Sequence, residues 1–344
     1  MKILIDAMGG DNAPLAPVQG ALEAAKLWDV EIVLVGREDE ILAAAKQSGY
    51  ETLPANVQVV HAPDVVDMHD DPANVCRKKK ESSMVVGLRM VSEDQADAMI
   101  SAGSTGALLS GATLIVKRVK GIRRAAMGPA MPNKAGGKTI LLDCGANAEC
   151  TPEFLLQFGI VGSLFARKSC GIANPRVGLL NIGTEDTKGT PLQKEAYAML
   201  TDAHNKGLIH FIGNVEAREA LLGGVDVVVC DGFSGNVLLK SMEGTAMFMG
   251  SLMKHKIFKR NFFSKIGYLL CKPGVDEVMK MMDYREVGGT QFLGIRKAVI
   301  KAHGASDALA FRNAVKQAMD AANADFSAEL EAALKQLAED QAND

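Results

Sequence analysis

The chain has 344 residues, 48% of them hydrophobic but only 5% aromatic, and a formal net charge of −3. That is ample apolar material for an α/β core built from Ala, Val, Ile, Leu and Met, and the lack of a global basic excess excludes a nucleic-acid binder working through its overall field. Six cysteines (Cys76, Cys144, Cys150, Cys170, Cys230, Cys271) without Cys-x-x-Cys spacing fit a reduced cytosolic protein, the start Met1–Asp6 lacks a signal-peptide stretch, and no run approaches the roughly 18 apolar residues of a membrane span.

Short β-rich runs recur along the chain: Ile3–Asp6, Glu31–Val35, Val57–His61, Ala98–Ser101, Thr139–Asp143, Arg176–Asn181, Ile209–Ile212 and Val225–Cys230. Each is followed by a glycine-containing turn and a helical pattern. Several are almost wholly apolar, as parallel strands buried on both faces are. The alternation predicts βαβ units and an α/β fold with a doubly wound, mostly parallel sheet, a three-layer α/β/α sandwich. Helix starts are legible too: Thr190-Pro191-Leu192-Gln193 reads as a capping box with proline at the first helical position, and Thr151-Pro152-Glu153 repeats the cap-plus-proline signal. Residues 1–324 read as one domain. Within it, residues 237–283 form a methionine-rich helical excursion without strands, and residues 325–344 form a polar, Ala/Glu-rich helix or tail that frays.

The chemistry is sought at the strand ends, because open α/β sheets bind ligands outside the carboxyl ends of their strands. Those ends are rich in Gly, Asn and Asp. They comprise Asp6–Pro14 with Gly9 and Gly10, Ser101–Gly106 with Ser104 and Thr105, and Asp143–Asn147. Asn181–Gly189, Gly213–Glu216 with Asn214, and Asp231–Asn236 with Ser234 complete the set. Glycines let backbone N–H groups approach a ligand closely, and a helix start after such a loop favours an anion. One such loop is an ordinary turn; six on one edge point to a site. Familiar signatures fail. Gly136-Gly137-Lys138-Thr139 has Pro132 where a P-loop needs its first glycine, and Gly232-Phe233-Ser234-Gly235 has Asn236 where a nucleophile elbow needs glycine. No Gly-x-Gly-x-x-Gly follows a strand. The acid-rich stretch Asp64, Asp67, His69, Asp70, Asp71 reads as a solvated loop rather than a metal box. His303 has no Ser or Cys partner in the sequence and reads as a turn residue. Anion-cradling loops without a triad, metal box or cofactor fingerprint suit a reaction whose nucleophile is itself a bound anion.

These loops resemble those of the phosphate acyltransferase family of bacterial phospholipid synthesis. The likeness runs in order through Asp6–Pro14, Arg77–Met84, Ser101–Ala107, Asp143–Asn147, Pro175–Gly183, Gly213–Arg218, Val228–Asn236 and Lys301–Ser306, so it spans residues 1 to about 320. Asn12 stands where the family pattern has histidine, and Ser104 where it has asparagine; a histidine at position 12 is therefore not needed for chemistry here. The resemblance implies an α/β/α sandwich without metal, nucleotide or other cofactor. It implies a cytoplasmic homodimer peripherally associated with the inner face of the cell membrane. Its partners are then acyl carrier protein and inorganic phosphate, and a downstream membrane glycerol-3-phosphate acyltransferase would consume the product. A coenzyme A-dependent phosphotransacylase is the rival enzyme; a non-catalytic acyl-carrier or lipid-binding module is the rival of another class.

For phosphate attacking a thioester carbonyl, positioning and preorganised donors supply most of the catalysis. Lys188, Asn181 and Asp231 are the expected catalytic residues, with Lys188 binding phosphate or assisting the leaving group. Asp6, Gly9, Gly10, Ser104, Thr105, Gly106, Asn147, Asn214, Ser234 and Asn236 are the expected substrate contacts; carboxylates among these residues anchor lysine or backbone groups rather than face phosphate. The run Arg77-Lys78-Lys79-Lys80 is read as a contact for the acidic carrier protein. Leu238, Met242, Met249 and Met253 recur at helical spacing and are read as a dimer stripe. Between Gly244 and Val275 no acid occurs, while Lys254, Lys256, Lys259, Arg260, Lys265 and Lys272 lie among large apolar residues. Phe258, Phe262, Ile266 and Leu269 are spaced for one helix face, so Gly250–Lys272 is read as an amphipathic membrane contact, in one helix or in two broken at Asn261 or Gly267.

Overall fold

The computed structural model describes residues 1–258, 260–281 and 283–343. Lys259, one of the basic residues named above, and Asp344, the end of the expected tail, lie outside the described residues. Mostly parallel strands flanked by helices give the expected α/β class, but the strands divide between two sheets.

The first sheet has the order β3-β2-β1-β4-β12-β11-β5, from β1 (Lys2–Asp6), β2 (Glu31–Gly36), β3 (Val57–His61), β4 (Ala98–Ser101), β5 (Ala126–Met127), β11 (Gly289–Leu293) and β12 (Ala298–Ala302). The second has the order β6-β7-β10-β8-β9, from β6 (Ala130–Pro132), β7 (Lys138–Leu142), β8 (Arg176–Leu180), β9 (His210–Val215) and β10 (Val227–Val229). The apolar runs are central strands covered on both faces: Ile3, Ile5, Ile100 and Ile300 belong to one core, and Leu142, Val177, Val227 and Val229 to another. Only β11, β5 and β6 run antiparallel to their neighbours. Parallel pairing aligns the carboxyl ends, as in Lys301 opposite Ser101 and Val229 opposite Leu142. The polar loops therefore emerge on one edge of each sheet.

Both cap signals are realised. Thr151 accepts a bond from the Phe154 amide at the start of the Pro152–Cys170 helix, and Thr190 and Gln193 form a reciprocal capping box. Three places add to the sequence reading. First, β12 falls at Ala298–Ala302, where no strand was expected, and all five of its residues are buried. Second, the C-terminal segment is a helix, Ser327–Asn343, and its first turns are packed on the body of the protein. Leu330, Leu334 and Leu337 form an i, i+4, i+7 stripe buried against the Pro152–Cys170 helix, and Phe326 meets Phe165 edge-on at 6.5 Å. Third, of the breaks expected in the excursion, the one at Asn261 is present, before Phe262. A long helix, Gly232–Leu252, passes into a π-helical turn, Met253–Phe258, and a second helix, Phe262–Met281, begins where Asn261 accepts a bond from the Ser264 amide at 2.9 Å. Gly267 and Pro273 lie inside that second helix. Among the described residues no helix is long and apolar enough to cross a membrane.

Candidate active site

A cavity of ≈ 1040 Å³ opens between the carboxyl edges of the two sheets. Its floor is made of strand ends: Ala102, Gly103 and Thr105 after β4, Lys301–Gly304 at β12, and Cys144 and Gly145 after β7. Its wall is apolar and rich in methionine, from Met127 and Met131 through Met242, Met249 and Met253 to Met279.

Two buried carboxylates shape the floor. Asp6, at the end of β1, accepts hydrogen bonds from the hydroxyls of Ser83 and Ser101, both at 2.6 Å, and from the Met8 amide at 3.2 Å. Burial raises its pKa, and those bonds work against the rise. Asp143, just past β7, accepts from the amides of Met127 (2.8 Å), Cys144 (2.7 Å), Ala146 (3.3 Å) and Asn147 (2.6 Å), and from the Asn147 side chain at 3.1 Å. Burial pushes its pKa upward too. The bond from Met127 crosses from β5 of one sheet to β7 of the other, and the Asn147 amide group adds a second crossing to the Ala125 carbonyl at 2.9 Å. Glycine is obligatory where these loops touch. A side chain at Gly235 would stand 2.0 Å from the Asp143 carbonyl. At Gly10, whose φ is +101°, one would stand 2.8 Å from Ala102 Cβ.

The expected site residues separate into three groups. Asp6, Gly9, Gly10, Ser104, Thr105 and Gly106 gather at the first sheet's edge. Ser104 caps the short helix Thr105–Gly111, Gly106 lies against Pro72, and Thr105 reaches the cavity. Asn147, Asp231, Ser234 and Asn236 gather at the second sheet's edge. Asn236 lines the cavity. Asp231 instead caps the Gly232–Leu252 helix, accepting bonds from the Ser234 amide and hydroxyl, both at 2.8 Å. Asn147 has both amide hydrogens engaged by Ala125 and Asp143. The third group, Asn181, Lys188 and Asn214, sits at the ends of β8 and β9, and none of it lines the cavity. Asn181 braces that loop, donating to the Lys188 carbonyl at 3.1 Å and accepting from the Ile182 amide at 2.8 Å. Asn214 donates to the Glu185 carbonyl at 2.7 Å, and its own buried carbonyl oxygen has no partner. The Lys188 side chain is exposed.

Elsewhere, the acid-rich loop is tied together internally: Asp70 pairs with Lys79 at 2.6 Å, and Asp71 accepts from Ala73 and Asn74. Lys79 also donates to the Val65 carbonyl, so it braces this loop, whereas Arg77, Lys78 and Lys80 are exposed. Of the methionine stripe, Met242, Met249 and Met253 face the cavity, and Leu238 and Met242 rest against a core cluster. Phe262 (71%) and Leu269 (69%) are largely exposed, with Ile266 between them, whereas Phe258 is half-buried against the Tyr268 ring at 4.6 Å. Phe258 therefore leaves the expected face, because the break before Phe262 interrupts the helical register.

Sequence reasoning missed Lys301 as a site residue. It is a lysine in a buried central strand, and the apolar residues Ala298, Val299 and Ile300 before it were the available signal.

The site is thus a polar floor of strand-end loops beneath an apolar, methionine-rich wall. The model of the family described as "Fatty acid synthesis protein" matches residues 1–329. A phosphate acyltransferase of Alkaliphilus oremlandii is 49% identical over 319 residues, 93% of each chain. One of Clostridioides difficile is 45% identical over 317 residues, 92% of this chain and 91% of its own. The chain belongs to this family of fatty acid synthesis proteins and is an acyltransferase. In fold it is similar to the EutD phosphotransacetylase of Staphylococcus aureus (TM-score 0.59, 18% identity, 94% of each chain) and to a phosphotransacetylase of Streptococcus pyogenes (TM-score 0.60, 18% identity, 94% of each chain).

Asp143→Asn is expected to destabilise the protein by about 2 kcal/mol, because the replacement amide sets a donor against backbone donors. It should also lower turnover by loosening Gly145 and Asn147. Urea denaturation with an unchanged midpoint would show that the Asp143 carboxylate does not hold the two sheets together.

Proposed function

We propose that the chain transfers a fatty acyl group from acyl carrier protein to inorganic phosphate, releasing acyl phosphate for phospholipid synthesis. The observation that carries this reading is the junction of polar strand-end loops with a large methionine-walled cavity. The cavity's volume is at the top of the ~300–1,000 Å³ range of small-molecule sites. An apolar chain gains about 0.8 kcal/mol per buried methylene. Methionine side chains adapt to chains of different shape.

In this reading a phosphate oxygen attacks the thioester carbonyl and the carrier thiol leaves. The exposed ammonium of Lys188, on a loop braced by Asn181 and Asn214, first captures phosphate at the second sheet's edge, from which phosphate passes to the thioester on the cavity floor. Asn236 and Thr105, on the cavity floor, orient the thioester. Asp6, Asp231 and Asp143 act by holding loops. Arg77, Lys78 and Lys80 offer an exposed cationic surface to the acidic carrier protein. Incubation with acyl carrier protein thioester and phosphate should yield acyl phosphate, trapped as a hydroxamate, with a kcat/KM far above that for the coenzyme A thioester. Lys188→Ala should lower kcat/KM by at least ~10-fold through KM for phosphate. Efficient use of coenzyme A would favour the rival transacylase, and a near-normal Lys188→Ala enzyme would remove Lys188 from the reaction.

The Gly232–Met281 arm is read as both dimer and membrane element. Phe262, Ile266 and Leu269 are exposed beside Lys254, Lys256, Arg260 and Lys265, which suits an anionic lipid surface at the inner face of the cell membrane. Met247 and Phe248 are exposed on the other helix and suit a second copy of the chain. A downstream membrane acyltransferase then receives the product at that surface. Phe262→Glu combined with Leu269→Glu is expected to abolish flotation with anionic liposomes while sedimentation still gives a dimer. Flotation equal to wild type would separate this helix from the membrane.

A further inference from the structure

Lys301 is the one buried cationic side chain on the cavity floor among the described residues. Of the other lysines lining the cavity, Lys134 is exposed, and Lys240 is exposed and paired with Glu243 at 2.7 Å. Lys301 is 9% exposed at the carboxyl end of β12, beside β4 in the middle of the first sheet. Its ammonium group donates to two backbone carbonyls, Ala102 at 3.2 Å and Ala302. An ammonium has three hydrogens, so one donor is left for a guest. The nearest carboxylates do not bond it. Asp6 is occupied by Ser83 and Ser101, and Asp11 lies across the loop beside Gly304. Burying a lysine without a salt-bridge partner costs stability. Its four strand neighbours, Ala298, Val299, Ile300 and Ala302, are all apolar and buried.

We propose that Lys301 is the general acid of the reaction, handing a proton to the sulfur of the departing carrier thiol. The inference rests on acyl transfer to phosphate as read above. The electron pair of a phosphate oxygen forms the new C–O bond. The C–S bond breaks with its pair on sulfur, and sulfur takes a proton from the Lys301 ammonium. The resulting amine recovers a proton from the hydroxyl of the hydrogen phosphate that attacked. The sum is thioester plus hydrogen phosphate giving acyl phosphate plus thiol, with no oxidant, metal or further reactant.

The electrostatics support the role. Burial lowers the Lys301 pKa to about 8, against the opposing pull of Asp11 and Asp6. That is close to the ~8.5 of an ordinary thiol, the condition under which proton transfer is most effective. His303, on its own loop, interacts with Lys301, and Lys134, Asp283 and the Lys240–Glu243 pair line the same cavity. Burial lowers the His303 pKa, and Lys240 and Lys301 lower it further.

The test compares two thioesters of one fatty acid with inorganic phosphate as nucleophile: the carrier-protein thioester, and the 4-nitrothiophenol thioester, whose acidic thiol leaves without a proton. For wild type, kcat/KM on the carrier thioester should fall as pH rises through about 8, because the ammonium form is the donor. The nitrothiophenol ester should not show that limb. Phosphate ionisation is common to both substrates and cancels in their ratio. Lys301→Met should lose at least ~100-fold on the carrier thioester and less than ~10-fold on the nitrothiophenol ester. Lys301→Arg, which keeps the charge but is too weak an acid, should behave like Lys301→Met. Identical wild-type pH profiles for the two esters, equal losses on both in Lys301→Met, or recovery in Lys301→Arg would each overturn the proposal. The wild-type profile decides even if neither variant folds. A wild-type enzyme forming no acyl phosphate from either ester would instead overturn the functional reading itself.

Discussion

The structure depends on two carboxylates buried without a bonded cation. Taking an ionised carboxylate out of water costs several kcal/mol, so each must be surrounded by donors that exist only when neighbouring loops are in place. Asp143 takes five such donors, and one of them, the Met127 amide, belongs to the other sheet. Asp6 takes two serine hydroxyls from separate elements. Bonds to a charged acceptor each contribute about 1.5–3 kcal/mol, enough together to offset the burial. The strand ends of the two sheets are thereby held at fixed positions around one cavity. The glycines follow from the same constraint, since backbones drawn this close leave no room for a side chain at Gly10 or Gly235.

That arrangement separates two tasks. The floor is built from small and polar residues of the strand ends and carries the Lys301 ammonium. The wall is long, helical and rich in methionine, and the helices that form it also present apolar residues outward. A thioester needs both: a preorganised polar patch where charge develops and an adaptable apolar space for the chain. One helical arm thus forms both the cavity wall and an exposed apolar surface.

Much of this was legible in the sequence. The apolar runs located eight strands because parallel strands buried on both faces need near-continuous apolar residues. Of the six glycine- and asparagine-rich loops, Ser101–Gly106, Asp143–Asn147 and Asp231–Asn236 contribute to the cavity lining, whereas Asp6–Pro14, Asn181–Gly189 and Gly213–Glu216 do not. Other features were hidden for physical reasons. β5 and β6 are two and three residues long, too short for any periodicity, and exist because Asp143 and the neighbouring sheets hold them. β12 was masked by Lys301, a polar residue whose burial only tertiary context discloses. The methionine stripe was visible, but periodicity does not say what faces it, and three of its members turn to the cavity. The C-terminal helix looked polar in bulk, and its three leucines at 330, 334 and 337 were outweighed by the charges around them. Lys188, a lone lysine in a glycine-flanked loop, stood out in sequence although it lies away from the cavity that Lys301 lines.

The central claim is that the acyl chain occupies the cavity while the thioester lies on its floor. Photo-crosslinking with a carrier-bound fatty acid bearing a diazirine at its terminal carbon, followed by mass spectrometric mapping, tests it directly. The account predicts label on the cavity wall, at Met249, Met253 or Met279. Label confined to the outer face around Phe262 and Leu269, with none on the wall, would contradict it.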